Sequence, residues 1–217
     1  MKNGLTTQRL SIIVLGTIFN QAIKEDVIPE TMFPFKKLTL KIDNAKRLFL
    51  NKDKIVGLVD LELPEGKKAA MWRDLFLFSI YAGGLRFSDV IEMQYKHYNK
   101  EEHKISKLIR KTGRTHQFKI GKVAIEILEK YMKEGANNDD YIFPVIEDIT
   151  GYEKNDTMRY FLTAKYNKLA NWHLKKMGEK MKLSFPLSFH LSRHTFATNA
   201  LNNGMRIEHV SKLMDHR

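Results

Sequence analysis

The sequence predicts a mostly α-helical fold with a small antiparallel β-sheet. Apolar residues recur at helical spacing over most of the 217 residues, and glycines or prolines interrupt these stretches. Residues 95–121 instead contain two short apolar runs on either side of Lys111-Thr112-Gly113-Arg114, which is typical of a β-hairpin. With 43% hydrophobic residues, the chain can bury the core of one full domain and part of another.

The residue pattern of the N-terminal part predicts one long helix followed by an irregular segment. A threonine near the start can cap the helix, which runs to about Asp26, and Pro29 and Pro34 keep the next residues extended. Apolar residues lie on more than one face of this helix, so it cannot bury them alone. We therefore expect residues 1–45 to be the end of a helical domain whose beginning is absent, and residues 48–217 to form a second domain.

The second domain is predicted to be built around a buried central helix. Residues 69–81 are apolar nearly all round, and Gly83-Gly84 end the helix in a left-handed conformation. Further helices are predicted at residues 51–58, 123–133, 156–180, between Pro186 and Gly204, and at 207–214. The helix at 156–180 is expected to bury Phe161, Leu162, Tyr166, Leu169 and Trp172, and to leave its lysines for solvent or DNA.

The composition favours a polyanionic partner and excludes several kinds of chemistry. The net charge is +12, from 37 Lys and Arg against 25 Asp and Glu, and nucleic acid is the commonest partner of such proteins. The positive residues are spread along the chain, which disfavours a basic membrane-surface helix. Without any cysteine there can be no disulfide, thiolate zinc site or cysteine nucleophile. No apolar run has membrane-spanning length, and no signal peptide is recognisable.

The segment from Phe189 to Thr198 is the strongest candidate for a functional site. If it is helical, His190 and Arg193 share one face, because side chains three residues apart are neighbours on a helix. His190 also lies near the start of this helix, where free backbone N–H groups favour an anion. An imidazole and a guanidinium close together suggest a phosphate site, although surface arginines and structural histidines are common.

Several segments, in this order, resemble the tyrosine recombinases, also called phage integrases. They are Ala82-Gly83-Gly84-Leu85-Arg86-Phe87-Ser88-Asp89, Arg110-Lys111-Thr112-Gly113-Arg114, Tyr141-Ile142-Phe143-Pro144, His190 to Thr198, and Leu213-Met214-Asp215-His216. The resemblance covers residues 48–217, and residues 1–45 resemble the end of the family's core-binding, SAM-like helical domain. It implies an integrase-type catalytic domain that is incomplete at its C-terminus.

The resemblance implies roles for two arginines and one carboxylate. Arg86 and Arg193 match the arginines that grip the scissile phosphate, whose non-bridging oxygens suit bidentate guanidinium groups. They would also counter the charge of the pentavalent transition state. Asp89 matches an acidic supporting position that could orient an arginine or a histidine, although a solvent-exposed carboxylate on a helix is an alternative.

The resemblance also implies roles for one lysine and two histidines. Lys111 matches the hairpin lysine that protonates the departing 5′ oxygen. His190 and His216 match histidines that hydrogen-bond the phosphate region and assist proton movement. We expect His194, which directly follows Arg193, to pack structurally.

The end of the chain departs from the family's pattern. Family members use a tyrosine beyond the final histidine as the nucleophile, forming a 3′-phosphotyrosine link without metal or ATP. The sequence ends one residue after His216, and Tyr152, Tyr160 and Tyr166 do not match the context of the nucleophile. We therefore expect the nucleophile to be missing from this chain, which would then be inactive in covalent cleavage. Asp215 stands where the family commonly has glycine.

The sequence thus predicts the DNA-binding catalytic domain of a site-specific recombinase or integrase of a mobile element. It needs no cofactor or metal, and its partner is double-stranded DNA. The parent protein would form a homotetramer on DNA, this chain would be a monomer in free solution, and the location would be the cytoplasmic nucleoid of a prokaryote or phage. A non-catalytic DNA-binding regulator is the alternative. A metal-dependent nuclease would need clustered carboxylates, which the sequence does not show.

Overall fold

A computed structural model describes residues 5–38, 48–63 and 67–215 of the chain. The chain divides into two compact units, residues 1–47 and 48–217. Among the described residues, no helix combines the length and the hydropathy needed to cross a bilayer.

In its described residues, 5–38, the first unit contains helix α1 and a short irregular segment. Helix α1 spans Leu5–Lys24, close to the predicted bounds, and a 3₁₀ turn follows at Glu30–Met32. The rings of Phe19, Phe33 and Phe35 pack edge to face, with centroids 5.8–6.4 Å apart. Apolar side chains on several faces of α1 are exposed, as the sequence pattern indicated; they include Leu10, Ile13, Val14 and Ile18.

The second unit contains helices and one small sheet. The helices are α2 (Lys52–Val59), α3 (Lys67–Tyr81), α4 (Phe87–Ile91), α5 (Lys122–Tyr131), α6 (Ile149–Glu153), α7 (Asp156–Lys180), α8 (His190–Asn202) and α9 (Ile207–Leu213). Asn51 caps α2 by accepting a hydrogen bond from the Lys54 amide at 3.1 Å. The short helices α4 and α6 are elements that the sequence pattern did not predict separately.

The sheet has three antiparallel strands in the order β1-β2-β3. Strands β2 (Lys104–Ile109) and β3 (Arg114–Lys119) form the predicted hairpin, in which Ile105 pairs with Phe118. The short strand β1 (Tyr98–Asn99) adds a third member to the predicted hairpin. The hairpin turn therefore carries Lys111 at the end of the sheet.

Helix α3 lies at the centre of the core, as its apolar sequence predicts. Trp72, Phe76 and Phe78 are at most 1% exposed and pack with aromatic residues of the segments around them. Helix α7 differs from the prediction, because Phe161, Leu169 and Trp172 are exposed by 62%, 39% and 56%. The side chains that α7 buries are Tyr166, Ala170, Leu174 and Met177. The prediction is confirmed for Tyr166 and wrong for Phe161, Leu169 and Trp172, because α7 touches the core along a narrow stripe and these apolar residues lie beside that stripe.

Candidate active site

One pocket collects side chains from four parts of the second unit. It lies between the start of α4, the β2–β3 turn, the middle of α7 and the start of α8, and its volume is about 400 Å³. Its lining residues are Arg86, Phe87, Ser88, Lys111, Thr163, Asn167, Phe189, His190 and Arg193. The structure thus brings four of the predicted site residues together. A larger apolar cavity of about 630 Å³ between α3, α5 and α7 contains none of them.

The end of α3 places Arg86 at this pocket. Gly83 and Gly84 have φ angles of +70° and +68°, a left-handed conformation that glycine adopts without strain. The Gly84 amide donates to the Ser79 carbonyl at 2.8 Å, which closes the helix. Arg86 follows in an extended conformation as the N-cap residue of α4. The glycine pair therefore ends the buried helix and leaves Arg86 next to the core.

Buried hydroxyl groups hold α3 against α8. Ser79 Oγ lies 2.6 Å from Ser192 Oγ, and both residues are completely buried. Each hydroxyl also has a backbone acceptor, the Leu85 carbonyl for Ser79 at 2.8 Å and the Phe189 carbonyl for Ser192 at 2.7 Å. This small buried network of hydrogen bonds favours one alignment of the two helices. Ser192 directly precedes Arg193, and α3 leads to Arg86. The hydroxyl contact therefore helps to place both arginines at one pocket.

Arg193 is buried, with 6% exposure, and two backbone carbonyls hold its guanidinium group. Nη1 donates to the Gly84 carbonyl, and Nη2 donates to the Met214 carbonyl at 2.8 Å. Burial and the nearby Arg86 charge lower the pKa of Arg193 to about 10, which leaves it positively charged at neutral pH. The pocket therefore has a fixed, permanent positive charge in its wall.

Arg86 lies between two carboxylates. Its Nη1 is 3.4 Å from Asp215 Oδ2 and 3.8 Å from Asp89 Oδ2, and its Nη2 donates to the Asp215 carbonyl at 3.3 Å. Asp89 is 3% exposed, so it is not the solvent-exposed carboxylate of the alternative interpretation. Burial raises the pKa of Asp89 to about 6, although the charges of Lys107 and Arg86 oppose this rise. At neutral pH, Asp89 is therefore mostly ionised beside Arg86.

His190 and Lys111 form the exposed side of the pocket. His190 is the first residue of α8, and its ring contacts the His194 ring edge to face with centroids 4.7 Å apart. Burial lowers the pKa of His190, and the charges of His194, Arg193 and Lys111 lower it further, so the imidazole is neutral at pH 7. The exposed Lys111 ammonium has no carboxylate within ion-pair distance among the described residues. The pocket thus combines fixed cations, a neutral imidazole and a mobile proton donor.

The structure also shows polar residues that sequence reasoning did not assign to the site. Thr163 and Asn167 of α7 line the pocket, and no sequence motif marked them. Thr112 and Asp215 lie next to the site: Thr112 Oγ1 donates to Asp215 Oδ2 at 2.7 Å. The Lys-Thr-Gly turn and the replacement of the family's usual glycine were signals that could have drawn attention to both.

The described residues supply neither the final histidine nor a nucleophilic tyrosine to this pocket. His216 lies outside the described residues. All eight tyrosines of the sequence are described, and none of them lines the pocket. Within the described part of the chain, no group of three or more His, Asp or Glu residues is arranged to hold a metal ion. What the pocket offers is therefore a positively charged wall for a tetrahedral oxyanion, with an acid and a base beside it.

A mostly helical domain with a small antiparallel sheet and a pocket lined by two arginines, a lysine and a histidine defines the class of this chain, and comparison with known proteins gives its family. Residues 48–217 match the model of the phage integrase family, so the chain belongs to that family. Tyrosine recombinase XerC of Pelotomaculum thermopropionicum is 28% identical over 184 residues, which cover 81% of this chain and 56% of that protein. Tyrosine recombinase XerA of Pyrococcus horikoshii is 26% identical over 218 residues, covering 99% of this chain and 67% of that protein.

Solved structures support the same fold. The Tn1549 transposon integrase in complex with circular intermediate DNA superposes with a TM-score of 0.70 at 17% identity, covering 98% of this chain and 72% of that one. A XerA recombinase crystal structure gives a TM-score of 0.54 at 18% identity, covering 97% and 67%. The predicted fold, mostly α with a small antiparallel sheet, is confirmed. The chain spans little more than half of the Pelotomaculum relative.

Proposed function

We propose that this chain provides the DNA-binding, phosphate-activating part of a site-specific recombinase or integrase. One observation carries the proposal: Arg86, Lys111, His190 and Arg193 line one pocket in a chain that belongs to the phage integrase family. The named relatives are tyrosine recombinases, and the Tn1549 integrase was solved with DNA. These names do not favour the alternative, a non-catalytic DNA-binding regulator.

In the proposed reaction, Arg86 and Arg193 bind the non-bridging oxygens of the scissile phosphate. Their charges stabilise the extra negative charge that develops when a nucleophile attacks phosphorus. Arg193 is held by two carbonyls and Arg86 by two carboxylates, so neither must be reoriented during the reaction. This preorganisation is the main contribution of the pocket.

The proposed chemistry is a transesterification. A tyrosine oxygen attacks the phosphorus, the bond from phosphorus to the 5′ oxygen breaks, and a 3′-phosphotyrosine ester forms. The neutral His190 imidazole accepts the tyrosine proton, and Lys111 gives a proton to the departing 5′ oxygen. Attack of a 5′ hydroxyl on the ester reverses these steps and joins the strands. Because none of the eight tyrosines lines the pocket, we propose that the attacking tyrosine is not among residues 1–217.

The remaining assignments belong to the same proposal. Residues 1–45 would be the end of a core-binding helical domain, which fits the exposed apolar residues of α1. His216 would hydrogen-bond the phosphate region. The parent protein would act as a tetramer on DNA, within the nucleoid of a prokaryote or phage, and the isolated chain would be a monomer.

The test is covalent capture on DNA. We expect the product of the complete open reading frame to form an adduct with nicked suicide DNA that survives denaturation. Arg193→Lys should reduce adduct formation at least about a hundredfold, because an ammonium cannot bind two carbonyls and a phosphate in the same plane. The measurement is the fraction of labelled DNA that migrates with protein after denaturation, with EDTA present.

A matched variant controls for the general effect of replacing an arginine by a lysine, which keeps the positive charge but removes the planar guanidinium group. Arg206 is an exposed arginine that lines no part of the pocket, so Arg206→Lys should keep adduct formation. Equal yields from wild type and Arg193→Lys would reject the role proposed for Arg193. A protein that binds DNA but never forms the adduct would support the regulator instead.

A further inference from the structure

Three successive carbonyls attach the segment that ends α9 to the sheet and to the two pocket arginines. The Leu213 carbonyl lies 3.0 Å from His116 Nε2 of β3, and the Met214 carbonyl accepts the 2.8 Å hydrogen bond from Arg193. The Asp215 carbonyl accepts a hydrogen bond from Arg86 at 3.3 Å. Three residues in a row are therefore fixed by the sheet and by both pocket arginines.

The Asp215 side chain adds a link to the hairpin turn. Its Oδ2 accepts the Thr112 hydroxyl at 2.7 Å and lies 3.4 Å from Arg86 Nη1. A hydroxyl has one proton, and the other possible acceptor, the Ile109 carbonyl, is farther away at 3.5 Å. Thr112 therefore donates to Asp215. Burial alone would raise the pKa of Asp215, but the Thr112 hydrogen bond and the Arg86 charge lower it, so the carboxylate is ionised.

The backbone of Asp215 has a conformation that favours glycine, although the side chain of Asp215 makes contacts that glycine could not. Its φ is +52°, a left-handed conformation that favours glycine and is disfavoured for residues with a Cβ atom. Asp adopts this conformation more readily than most residues, as the exposed Asp26 does with a φ of +54°, but glycine would adopt it at a lower cost. The contacts that glycine could not make are those of the carboxylate with Thr112 and Arg86.

We propose that Asp215 and Thr112 are positioning residues that hold the Lys111 turn in place beside Arg86. This inference rests on the proposed function, in which Lys111 protonates the leaving 5′ oxygen. Lys111 precedes Thr112 by one peptide unit, which separates their Cα atoms by about 3.8 Å. A fixed Thr112 side chain therefore restricts the backbone of Lys111, and with it the range of positions that the Lys111 ammonium can occupy. Neither positioning residue lines the pocket, so the link leaves room for the phosphate.

Without the link, the turn has only local support. Its amides at Thr112 and Gly113 both donate to the Ile109 carbonyl, at 3.2 and 2.8 Å, and these contacts lie within the hairpin itself. Gly113 has a φ of +67° and no neighbour within 4 Å of an added Cβ. Within the described chain, the Thr112 hydroxyl is the polar contact that connects residues 111–113 to another element. Its loss should therefore affect Lys111 more than the rest of the fold.

The first experiment measures the turn directly and does not depend on the reaction. In Thr112→Val, hydrogen exchange at the Gly113 amide of the free protein should be at least about tenfold faster. Thr112→Ser keeps the hydroxyl and should exchange at the wild-type rate. Thr115→Val makes the same change at an exposed position of β3 in the same hairpin and should also leave the turn unchanged. Unchanged exchange in Thr112→Val would overturn the proposal.

A second pair of variants tests Asp215. Asp215→Gly relieves the left-handed strain but removes the carboxylate, so exchange at Gly113 should again accelerate. Asp26→Gly makes the same change at an exposed residue with a φ of +54° and should have no effect at the turn. Unchanged or slower exchange in Asp215→Gly would contradict the proposed link.

The last experiment asks whether the link acts through Lys111. With the product of the complete open reading frame, Thr112→Val should slow cleavage of ordinary DNA at least about tenfold. A substrate with sulfur in place of the 5′ bridging oxygen needs no proton on its leaving group, and its cleavage should be nearly unaffected. Thr112→Ser should restore the ordinary rate.

The possible outcomes distinguish a failure of the positioning role of Thr112 from a failure of the proposed DNA cleavage. If Thr112→Val slows both substrates equally, the link does not act through Lys111 and the positioning role is wrong. If the wild type cleaves neither substrate, the proposed function fails, and the role of Lys111 fails with it. Hydrogen exchange would even then show whether Thr112 holds the turn.

Discussion

Asp89 lies beside Arg86 of the pocket, and its burial lowers the free energy of unfolding of the protein at neutral pH. It is buried beside Arg86, and burial raises its pKa from 3.8 to about 6. The unfolded chain loses this proton near pH 4, whereas the folded protein keeps it until about pH 6. The folded state therefore binds more protons between these values, and its stability falls as the pH rises through this window.

Asp89→Asn should remove this dependence on pH. From pH 4.5 to pH 7, the free energy of unfolding of the variant should rise by about 2 kcal/mol relative to wild type. Urea denaturation at both pH values measures this difference. Asp60→Asn, which removes an exposed carboxylate after α2, controls for the general effect of losing a charge. A difference between variant and wild type that stays constant over this range would show that Asp89 ionises normally in the folded protein.

At the scale of elements, the junction between α3 and α8 determines the distance between the two arginines. A Cβ atom on Gly84 would lie 3.0 Å from the Phe196 ring of α8, and the φ of +68° would also be strained. Gly84→Ala should therefore destabilise the protein by about 3 kcal/mol, from a left-handed alanine and from overpacking. It should also weaken DNA binding, because the Gly84 carbonyl accepts a hydrogen bond from Arg193.

Gly204 provides the matched control for this substitution. Its φ is +83°, but no atom lies within 4 Å of an added Cβ. Gly204→Ala should cost only about 1 kcal/mol, from backbone strain alone. Chemical denaturation and DNA binding at one salt concentration measure both effects. Similar losses in the two variants would mean that close packing of α8 on Gly84 is unimportant.

The elements themselves were largely predictable, and the exceptions have physical causes. The apolar residues of α3 were sufficient to predict a buried helix, because a helix that is apolar all round can only be buried. The glycine pair Gly83-Gly84 was sufficient to predict where this helix ends. The burial of α7 was not predictable, because a long helix can touch the core along any stripe of its surface. Lys107 of β2 shows the same limit: it is 5% exposed, since its ammonium donates to the Glu92 carbonyl at 3.0 Å. A sequence pattern gives the period of an element but not the polar partners that the fold supplies.

At the scale of the whole molecule, the sequence could name candidate residues but not the contacts between them. Arg86, Lys111, His190 and Arg193 were found through short motifs, whose order suggested that they converge. The Thr112–Asp215 hydrogen bond joins residues 103 positions apart, and neither residue type indicates the other. Such links depend on the final packing of α9 against the hairpin.

The net charge of +12 leads to a prediction about the DNA binding of the chain as a whole. If lysines and arginines bind DNA phosphates, counterions are released, and the logarithm of the association constant falls linearly with the logarithm of the salt concentration. The exposed Arg114 begins β3 next to the Lys111 turn, so it is placed to bind a phosphate beside the pocket. Arg114→Gln should reduce the magnitude of the salt slope by about one.

The change in the salt slope of DNA binding should depend on where the removed charge lies, and not only on its sign. Lys100 lies before β2, at the end of the sheet opposite the turn, and its ammonium is 3.6 Å from Glu129 Oε1. Lys100→Gln removes the same charge and should leave the slope unchanged. Fluorescence anisotropy with labelled duplex DNA, titrated from about 50 to 200 mM salt, measures all three slopes. If both variants lower the slope equally, DNA binding follows from net charge alone. If only Arg114→Gln lowers it, the DNA backbone passes the hairpin turn, where Lys111 must be to protonate a leaving strand.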